Sequence, residues 1–294
     1  MTKPVVGFIG LGLMGTGFTR RLIATGHHVI GYDVSAERLA AAAEYGVEKG
    51  TSPAQVADAA DVVLACVTTT AAVADVVEGP QGLLAAGNVR GKVFVDHSTT
   101  EIDTVRRLAP LLAERAGMSM IDAPVSGGPG AAETGKLAIM AGGSEEAIAK
   151  VAPLMANLGT FTHMGATGAG QATKLVNQTL VLNNFCVIAE ALRMAETYGI
   201  DASRIPQALR SGFAGSNLLP VLLGRMIPRD WTPTGYARQV LKDLEMVNEA
   251  ARSRHLAMPM TAQALTLFRM LVAQGKSELD GAAVLEVLPP GDKP

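Results

Sequence analysis

The sequence predicts an α/β chain: a doubly wound, Rossmann-like parallel-sheet domain, then a long interdomain helix leading into an all-α C-terminal domain. Three observations carry this. Short, wholly apolar runs alternate with helix-like segments through the first half, the pattern of a parallel sheet covered on both faces. Strand patterns nearly vanish after Gly170, where helix patterns dominate. The run from about Gln171 to Tyr198 reads as one helix of roughly 40 Å, too long for one small sheet and suited to bridging two domains. A chain of 294 residues favours two domains over one. They are expected over 1–164 and 165–294, the second beginning with the long helix.

Val5 to Gly10 (VVGFIG) is an apolar run ending in glycine, read as a buried strand. Residues 13 to 25 carry a helix pattern that stops at Gly26. HHVIGYD (27–33) is a second strand. SAERLAAAAEYG follows as a helix, with Ser35 as N-cap and Gly46 as terminator. DVVLACV (61–67) and KVFVD (92–96) are the third and fourth strands, with SPAQVADA before the third and TAAVADVV between the two as helices. Another helix starts near Thr100 and ends near Gly117. SMIDAPV, LAIMAG and TFTHMG add shorter strands. Beyond the long helix, SRIPQALRSG, NLLPVLLGRMI, YARQVLKDLEMVNEAARSRH and MTAQALTLFRMLVAQG read as helices, and the tail LPPGDKP as frayed.

Composition removes several function classes. The chain is 48% hydrophobic and 18% charged, which supports a large core and argues against disorder. Its net charge is −2, with Lys and Arg spread along its length, so nothing points to nucleic acid or a membrane surface as partner. No run of about eighteen apolar residues reads as a membrane span, and MTKPVVGFIG lacks a signal-peptide pattern. A cytoplasmic protein is expected. Cys66 and Cys186 each lie in an apolar run and read as buried free thiols, which fits a reducing compartment. The five histidines lack ligand spacing, so no metal is expected, and there is no G-x-S-x-G hydrolase elbow.

Chemistry enters at GFIGLGLMG, where Gly10, Gly12 and Gly15 stand as G-x-G-x-x-G. The motif follows a strand and opens a helix, as phosphate binding requires. The first glycine permits a tight turn, the second lets a pyrophosphate approach the backbone, and the third lets helix and strand pack closely. Gly10, Leu11, Gly12, Leu13, Met14 and Gly15 are therefore candidate cofactor residues of a Rossmann-like domain. Asp33 ends the second strand, where a carboxylate can accept from both hydroxyls of an adenosine ribose and would repel a 2′-phosphate. No arginine directly follows it, so NAD is expected over NADP. Val67, Thr68, Ser98 and Thr99 fall at other strand ends, where ligands gather, or serve as ordinary turn residues. In DAPVSGG, Ser126, Gly127 and Gly128 can form a small anion-binding nest suited to a substrate carboxylate, or simply a flexible loop.

Together GFIGLGLMG, Asp96-His97-Ser98-Thr99, DAPVSGG, GAGQATKLVNQ and Lys242-Asp243-Leu244 resemble, in order and across nearly the whole chain, the motifs of the β-hydroxyacid dehydrogenases. That family includes 3-hydroxyisobutyrate dehydrogenase and tartronate semialdehyde reductase. The resemblance implies a dinucleotide-binding domain joined by a long helix to a helical domain. It also implies that Lys174 is catalytic, that Asn177 binds substrate beside it, that Ser126-Gly127-Gly128 hold the substrate carboxylate, and that Lys242 reaches cofactor and substrate. Two departures touch the substrate more than the chemistry. Val67-Thr68 replaces the leucine-proline pair of many relatives, and Asn177-Gln178 replaces a pair of asparagines, as in the tartronate semialdehyde reductase branch.

Hydride transfer needs a cofactor and substrate carbon held face to face, an oriented substrate, and a proton donor or acceptor. Lys174, Asn177 and Gln178 share one helix face by their i, i+3, i+4 spacing. A lysine among apolar neighbours, with Lys242 as a second cation, would have its charged form disfavoured and could exchange the proton. The expected activity is therefore a nicotinamide-dependent oxidoreductase acting on a small 3-hydroxy acid or its semialdehyde. An imine reductase-like enzyme is an alternative that usually lacks the lysine. A non-catalytic dinucleotide sensor would need neither the lysine nor the Ser-Gly-Gly turn. The leucine-rich helices of the second domain predict a homodimer or homotetramer.

Overall fold

The computed structural model describes residues 3–292, so the last two residues of the expected frayed tail, 293 and 294, lie outside it. Its elements in order are β1 (Val6–Ile9), α1 (Leu13–Ala24), β2 (Val29–Tyr32), α2 (Ala36–Glu44), β3 (Glu48–Lys49), α3 (Pro53–Ala59), β4 (Val62–Ala65) and α4 (Thr70–Glu78). Then come β5 (Val93–Asp96), α5 (Ile102–Ala116), β6 (Ser119–Asp122), β7 (Val125–Ser126), α6 (Gly128–Thr134), β8 (Leu137–Gly142), α7 (Glu145–Met155) and β9 (Gly159–Gly165). The helical part comprises α8 (Ala169–Thr197), α9 (Ile205–Leu209), α10 (Leu218–Met226), α11 (Ala237–Ser253), α12 (Pro259–Ala273) and a 3₁₀ segment, Gly281–Val287. The two-residue β3 and the 3₁₀ segment carry no pattern readable in the sequence.

The strands form one sheet in the order β3-β2-β1-β4-β5-β6-β8-β7, with β9 beside β8. Strands β3 to β6 are parallel. The wholly parallel sheet suggested by the apolar strands ends there, because β8 runs antiparallel to β6 and β7. The reason is chain length: only residues 127–136 join β7 to β8, fewer than the dozen or so that a parallel crossover needs. The apolar strands are explained by burial on both faces. Val62 and Leu64 of β4 enter one core with Phe8, Phe18 and Leu22, while Val63 and Ala65 enter the other with Phe94, Val105 and Leu108. Strand order reverses at β1, between β2 and β4, and a crevice opens at the carboxyl ends of strands at such a switch point.

Two compact units divide the chain, Met1–Lys174 and Leu175–Pro294. The division falls ten residues later than the expected boundary. The first turn of α8 belongs with the sheet because Asp122, at the end of β6, accepts from the Gly168 and Gln171 N–H groups at 2.7 and 2.8 Å. In the second unit the core gathers Leu192, Met226, Leu244, Phe268 and Leu271 around the 3₁₀ residues Ala282 to Leu285, all closed to solvent. Helix α8 is long and apolar enough by composition to cross a bilayer, and about a third of its most apolar window is buried within the fold.

Candidate functional site

The glycine loop is built by steric exclusion. Gly10 has φ +94°, and a Cβ there would stand 2.4 Å from the Cys66 carbonyl oxygen. At Gly15 a Cβ would stand 1.9 Å from the Gly10 carbonyl oxygen, so that glycine lets α1 pack onto β1. Gly12 differs: a Cβ would meet nothing within 4 Å. Its glycine leaves a cradle in front of the N-terminus of α1, where backbone N–H groups and the helix dipole favour phosphate. Leu13 and Met14 form the first turn of α1.

Asp33 follows β2 and is buried. One carboxylate oxygen accepts from the Leu11 N–H at 2.7 Å and the other from the Ser35 N–H at 2.8 Å. The loop and the acid are thus one unit, held by bonds that leave each oxygen a further lone pair. A cavity of about 450 Å³ opens beside them, lined by Gly10, Gly12, Asp33, Val67 and Thr68 and by a residue that the sequence reading missed, Arg38. The Arg38 guanidinium lies 3.9 Å from the Asp33 carboxylate. It is five residues beyond the acid, but the turn after Ser35 brings it back. A dinucleotide's pyrophosphate and adenosine ribose fit these residues, the first on the open Gly12 cradle and the second at the Asp33 carboxylate.

The ends of β4, β5 and β6 are tied together by buried side chains. Ser98 Oγ accepts from the Val67 N–H at 2.9 Å. Asp96 takes the Ser98 N–H at 2.9 Å and the Thr100 hydroxyl at 2.6 Å, which fixes the turn bearing Thr99. Next to it the His97 ring stacks on Phe18, with centroids 4.8 Å apart. Its Nδ1 lies 2.7 Å from the Ala123 carbonyl oxygen, while Nε2 has no partner among the described residues. Burial pushes the His97 imidazole down to about 4, so it is neutral at pH 7 and Nδ1 carries the donated proton. Burial has the opposite effect on the Asp122 carboxyl, pushing it up to about 6 against the two backbone N–H donors it accepts.

Lys174 sits on the second turn of α8, only 7% exposed. Its Nζ donates to the Val125 carbonyl oxygen at 2.7 Å. The amine therefore lies at the peptide leading into Ser126, Gly127 and Gly128. Gly127 and Gly128 have φ of +130° and +73°, a backbone only glycine adopts readily. A Cβ on Gly128 would meet open space.

In the second unit, Asn177 Nδ2 donates to Gln178 Oε1 at 2.8 Å, and Gln178 Nε2 donates to Asp243 at 2.5 Å. Lys242 Nζ lies 3.1 Å from the other Asp243 oxygen. Asp243 thus joins Gln178 to Lys242, an acid to which the sequence reading gave no role. Cys66 and Cys186 form no disulfide; Cys186 is buried as expected, and burial pushes its thiol up to about 12, whereas Cys66 is only half-buried because it reaches the cavity wall at the end of β4.

Residues 5–168 match the family described as the NAD binding domain of 6-phosphogluconate dehydrogenase. Residues 168–288 match that described as the NAD-binding of NADP-dependent 3-hydroxyisobutyrate dehydrogenase. The chain is 37% identical to 2-hydroxy-3-oxopropionate reductase of Escherichia coli over 286 residues, covering 96% of each chain. It is 31% identical to mitochondrial 3-hydroxyisobutyrate dehydrogenase of Bos taurus, covering 98% of this chain and 87% of that one. Among solved structures, "Psf3 in complex with NADP+ and 2-OPP" superposes with a TM-score of 0.89 at 29% identity, covering 97% of this chain and all of that one. An imine reductase from Pseudomonas sp. shares the fold with a TM-score of 0.65 at 22% identity, covering 98% of this chain and all of that one.

Proposed function

The chain belongs to the β-hydroxyacid dehydrogenase family, a class of nicotinamide-dependent oxidoreductases, and we propose that it interconverts a small 3-hydroxy acid and its semialdehyde with Lys174 as general acid and base. One observation carries the proposal. A buried lysine amine, 2.7 Å from the Val125 carbonyl oxygen, stands beside the glycine turn at 126–128. Such a turn suits a substrate carboxylate, and an acid held there puts its oxidisable carbon within reach of the amine. The relatives named for 2-hydroxy-3-oxopropionate and 3-hydroxyisobutyrate support short substrates of this type.

A bound nicotinamide supplies or takes the hydride. The chain's own work is the rest. The Ser126 hydroxyl and the backbone of Gly127 and Gly128 hold the carboxylate. In reduction, the Lys174 ammonium hydrogen-bonds the carbonyl oxygen and donates the proton. In oxidation, the neutral amine accepts it from the hydroxyl. Asn177 and Gln178 as substrate-binding residues and Lys242 as a cofactor-binding residue complete the proposed assignment. Val67 and Thr68, which line the cavity, and Thr99, on the neighbouring turn after β5, are the remaining cofactor residues of the proposal. NAD is the preferred cofactor because the Asp33 carboxylate faces the cavity.

We place the protein in the cytoplasm as a homodimer or homotetramer. Support for association comes from α8, where Val176, Leu180, Val187 and Met194 are all exposed along one helix. Sedimentation showing only monomer at micromolar concentration would remove that part.

The test is absorbance of NADH and NADPH across a panel of short 3-hydroxy acids and semialdehydes, in both directions, with Lys174→Ala beside the wild type. Turnover by the wild type and a loss of about a thousandfold or more in kcat, with cofactor binding retained, is the expected result. Normal kcat in Lys174→Ala would discard the mechanism.

A further inference from the structure

The proposed chemistry leaves Gln171 unused, although it is among the most completely buried polar residues of the first unit, at 1% exposure. Its contacts are unusually specific. The Gln171 Oε1 accepts from the Thr100 N–H at 3.0 Å, and Nε2 donates to the Ser98 carbonyl oxygen at 2.8 Å. A side-chain amide thus pairs with two main-chain groups of one loop, as a neighbouring strand would. The Gln171 main-chain N–H is itself held by Asp122 at 2.8 Å. Ser98 passes the connection on, its Oγ accepting from the Val67 N–H. One residue on the first turn of α8 therefore joins the loops after β4, β5 and β6, and Lys174 lies one turn further along the same helix.

We infer that Gln171 is a positioning residue, its carboxamide fixing the lysine-bearing turn of α8 against the Ser98–Thr100 loop beside the dinucleotide. A helix can slide or rotate along a sheet edge at little cost when only apolar contacts hold it. Two hydrogen bonds of opposite sense to one loop remove both freedoms, because either motion lengthens at least one of them. The pair is closed to water, so a lost bond leaves a buried main-chain group unsatisfied. Reacting atoms must be held closely, and a misplacement of about 1 Å costs on the order of a hundredfold in rate. The inference rests on the proposed role of Lys174.

Gln171→Met and Gln171→Glu test it, assayed with wild type and Lys174→Ala in the full-length protein. Methionine keeps the length and apolar stem and removes both hydrogen bonds. Glutamate keeps an acceptor for Thr100, and only its protonated form can donate to Ser98. Burial, with Asp122 capping the same turn and Asp96 holding Thr100, disfavours its ionised form. The expected result for Gln171→Met is a kcat lowered about ten- to a hundredfold across the pH range, with KM for the dinucleotide within about twofold of wild type. Gln171→Glu should be nearer wild type at low pH and lose kcat as pH rises, through an ionisation absent from the wild-type profile. A merely structural glutamine would lower the yield of active protein without splitting kcat from KM or adding that ionisation.

Wild-type kcat and pH profile in both variants overturn the inference while leaving the lysine mechanism intact. Normal activity in Lys174→Ala overturns the mechanism and the inference together. Should Gln171→Met fail to fold, the Gln171→Glu profile alone decides, since that variant retains the Thr100 bond.

Discussion

Two corners of the first unit sit at strand carboxyl ends and are made in opposite ways. The cofactor corner is backbone: three glycines, one of which faces open space, and a carboxylate that holds the loop by main-chain N–H groups. The lysine corner is side chain: Asp96, Asp122, Gln171 and Lys174, all buried and each bonded to main chain. The first corner fits a long anionic ligand that lies along the backbone, and its shape tolerates an open side. Under the proposed mechanism the second must fix one amine to a fraction of an ångström, and a closed network does that. The glycine corner is built from local geometry and the lysine corner from long-range pairing.

The comparison breaks most easily at Gly15. Gly15→Ala puts a carbon 1.9 Å from the Gly10 carbonyl oxygen, and the helix must move off the strand. A stability loss of about 3 kcal/mol or more is expected in urea denaturation. Gly12→Ala is the control within the same motif, since its Cβ meets nothing. It should keep the wild-type urea midpoint and raise KM for the dinucleotide roughly tenfold or more, because only the ligand feels the added methyl. Equal stability losses in the two variants would show that the motif is structural throughout.

That contrast also marks what could be read from sequence. The G-x-G-x-x-G spacing and Asp33 were legible because each states a steric or charge requirement at one position. The strands of the first half were legible for a similar reason, since burial on both faces demands continuous apolar runs. Lys174 stands out in the sequence through its motif, and nothing local there signals its burial. Gln171, Asp122 and His97 were not assigned roles, because their partners lie 71, 49 and 26 residues away and no local pattern encodes such pairings. Arg38 is not legible beside Asp33 because the two meet through the turn that opens α2, not through adjacency in the chain. The antiparallel β8 went unread because strand direction depends on the length of a connection, not on strand composition.

The lysine corner holds two buried titratable groups displaced in opposite directions, and acid separates them. The His97 imidazole, ordinarily near 6.5, lies at about 4 in the fold because burial disfavours its cation. Its contribution to stability is present above pH 6.5 and is lost as pH falls towards 4. The Asp122 carboxyl, ordinarily near 3.8, lies at about 6 because burial disfavours its anion. Its contribution is present below about pH 4 and is lost as pH rises through 6. Between pH 7 and 4.5 the two should largely offset in the wild type, each worth roughly 2 kcal/mol. Relative to wild type, His97→Asn should therefore gain about 2 kcal/mol on acidification to pH 4.5, and Asp122→Asn should lose a similar amount. Urea titrations of the three proteins at both pH values give the two double differences directly. Shifts of the same sign in both variants would mean that the corner does not balance as described.

The smallest effect concerns the charge pair at the cofactor corner. Asp33 already holds the Leu11 and Ser35 N–H groups, and Arg38 stands 3.9 Å from it on the wall of the same cavity. The carboxylate favours a ribose diol and repels a 2′-phosphate. The guanidinium, more than half exposed, is the cation that a 2′-phosphate would meet. In the proposed cofactor site, discrimination between NAD and NADP is then a difference between two opposing charges rather than the property of one. Asp33→Ala should raise the kcat/KM ratio of NADP over NAD about tenfold, and Arg38→Ala should lower it by a smaller factor, since an exposed charge is screened by solvent and salt. The Arg38 effect should shrink further in high salt, while that of the buried Asp33 should not. If Arg38→Ala leaves the ratio untouched at low salt, the guanidinium serves only its neighbour, and Asp33 alone sets the cofactor preference.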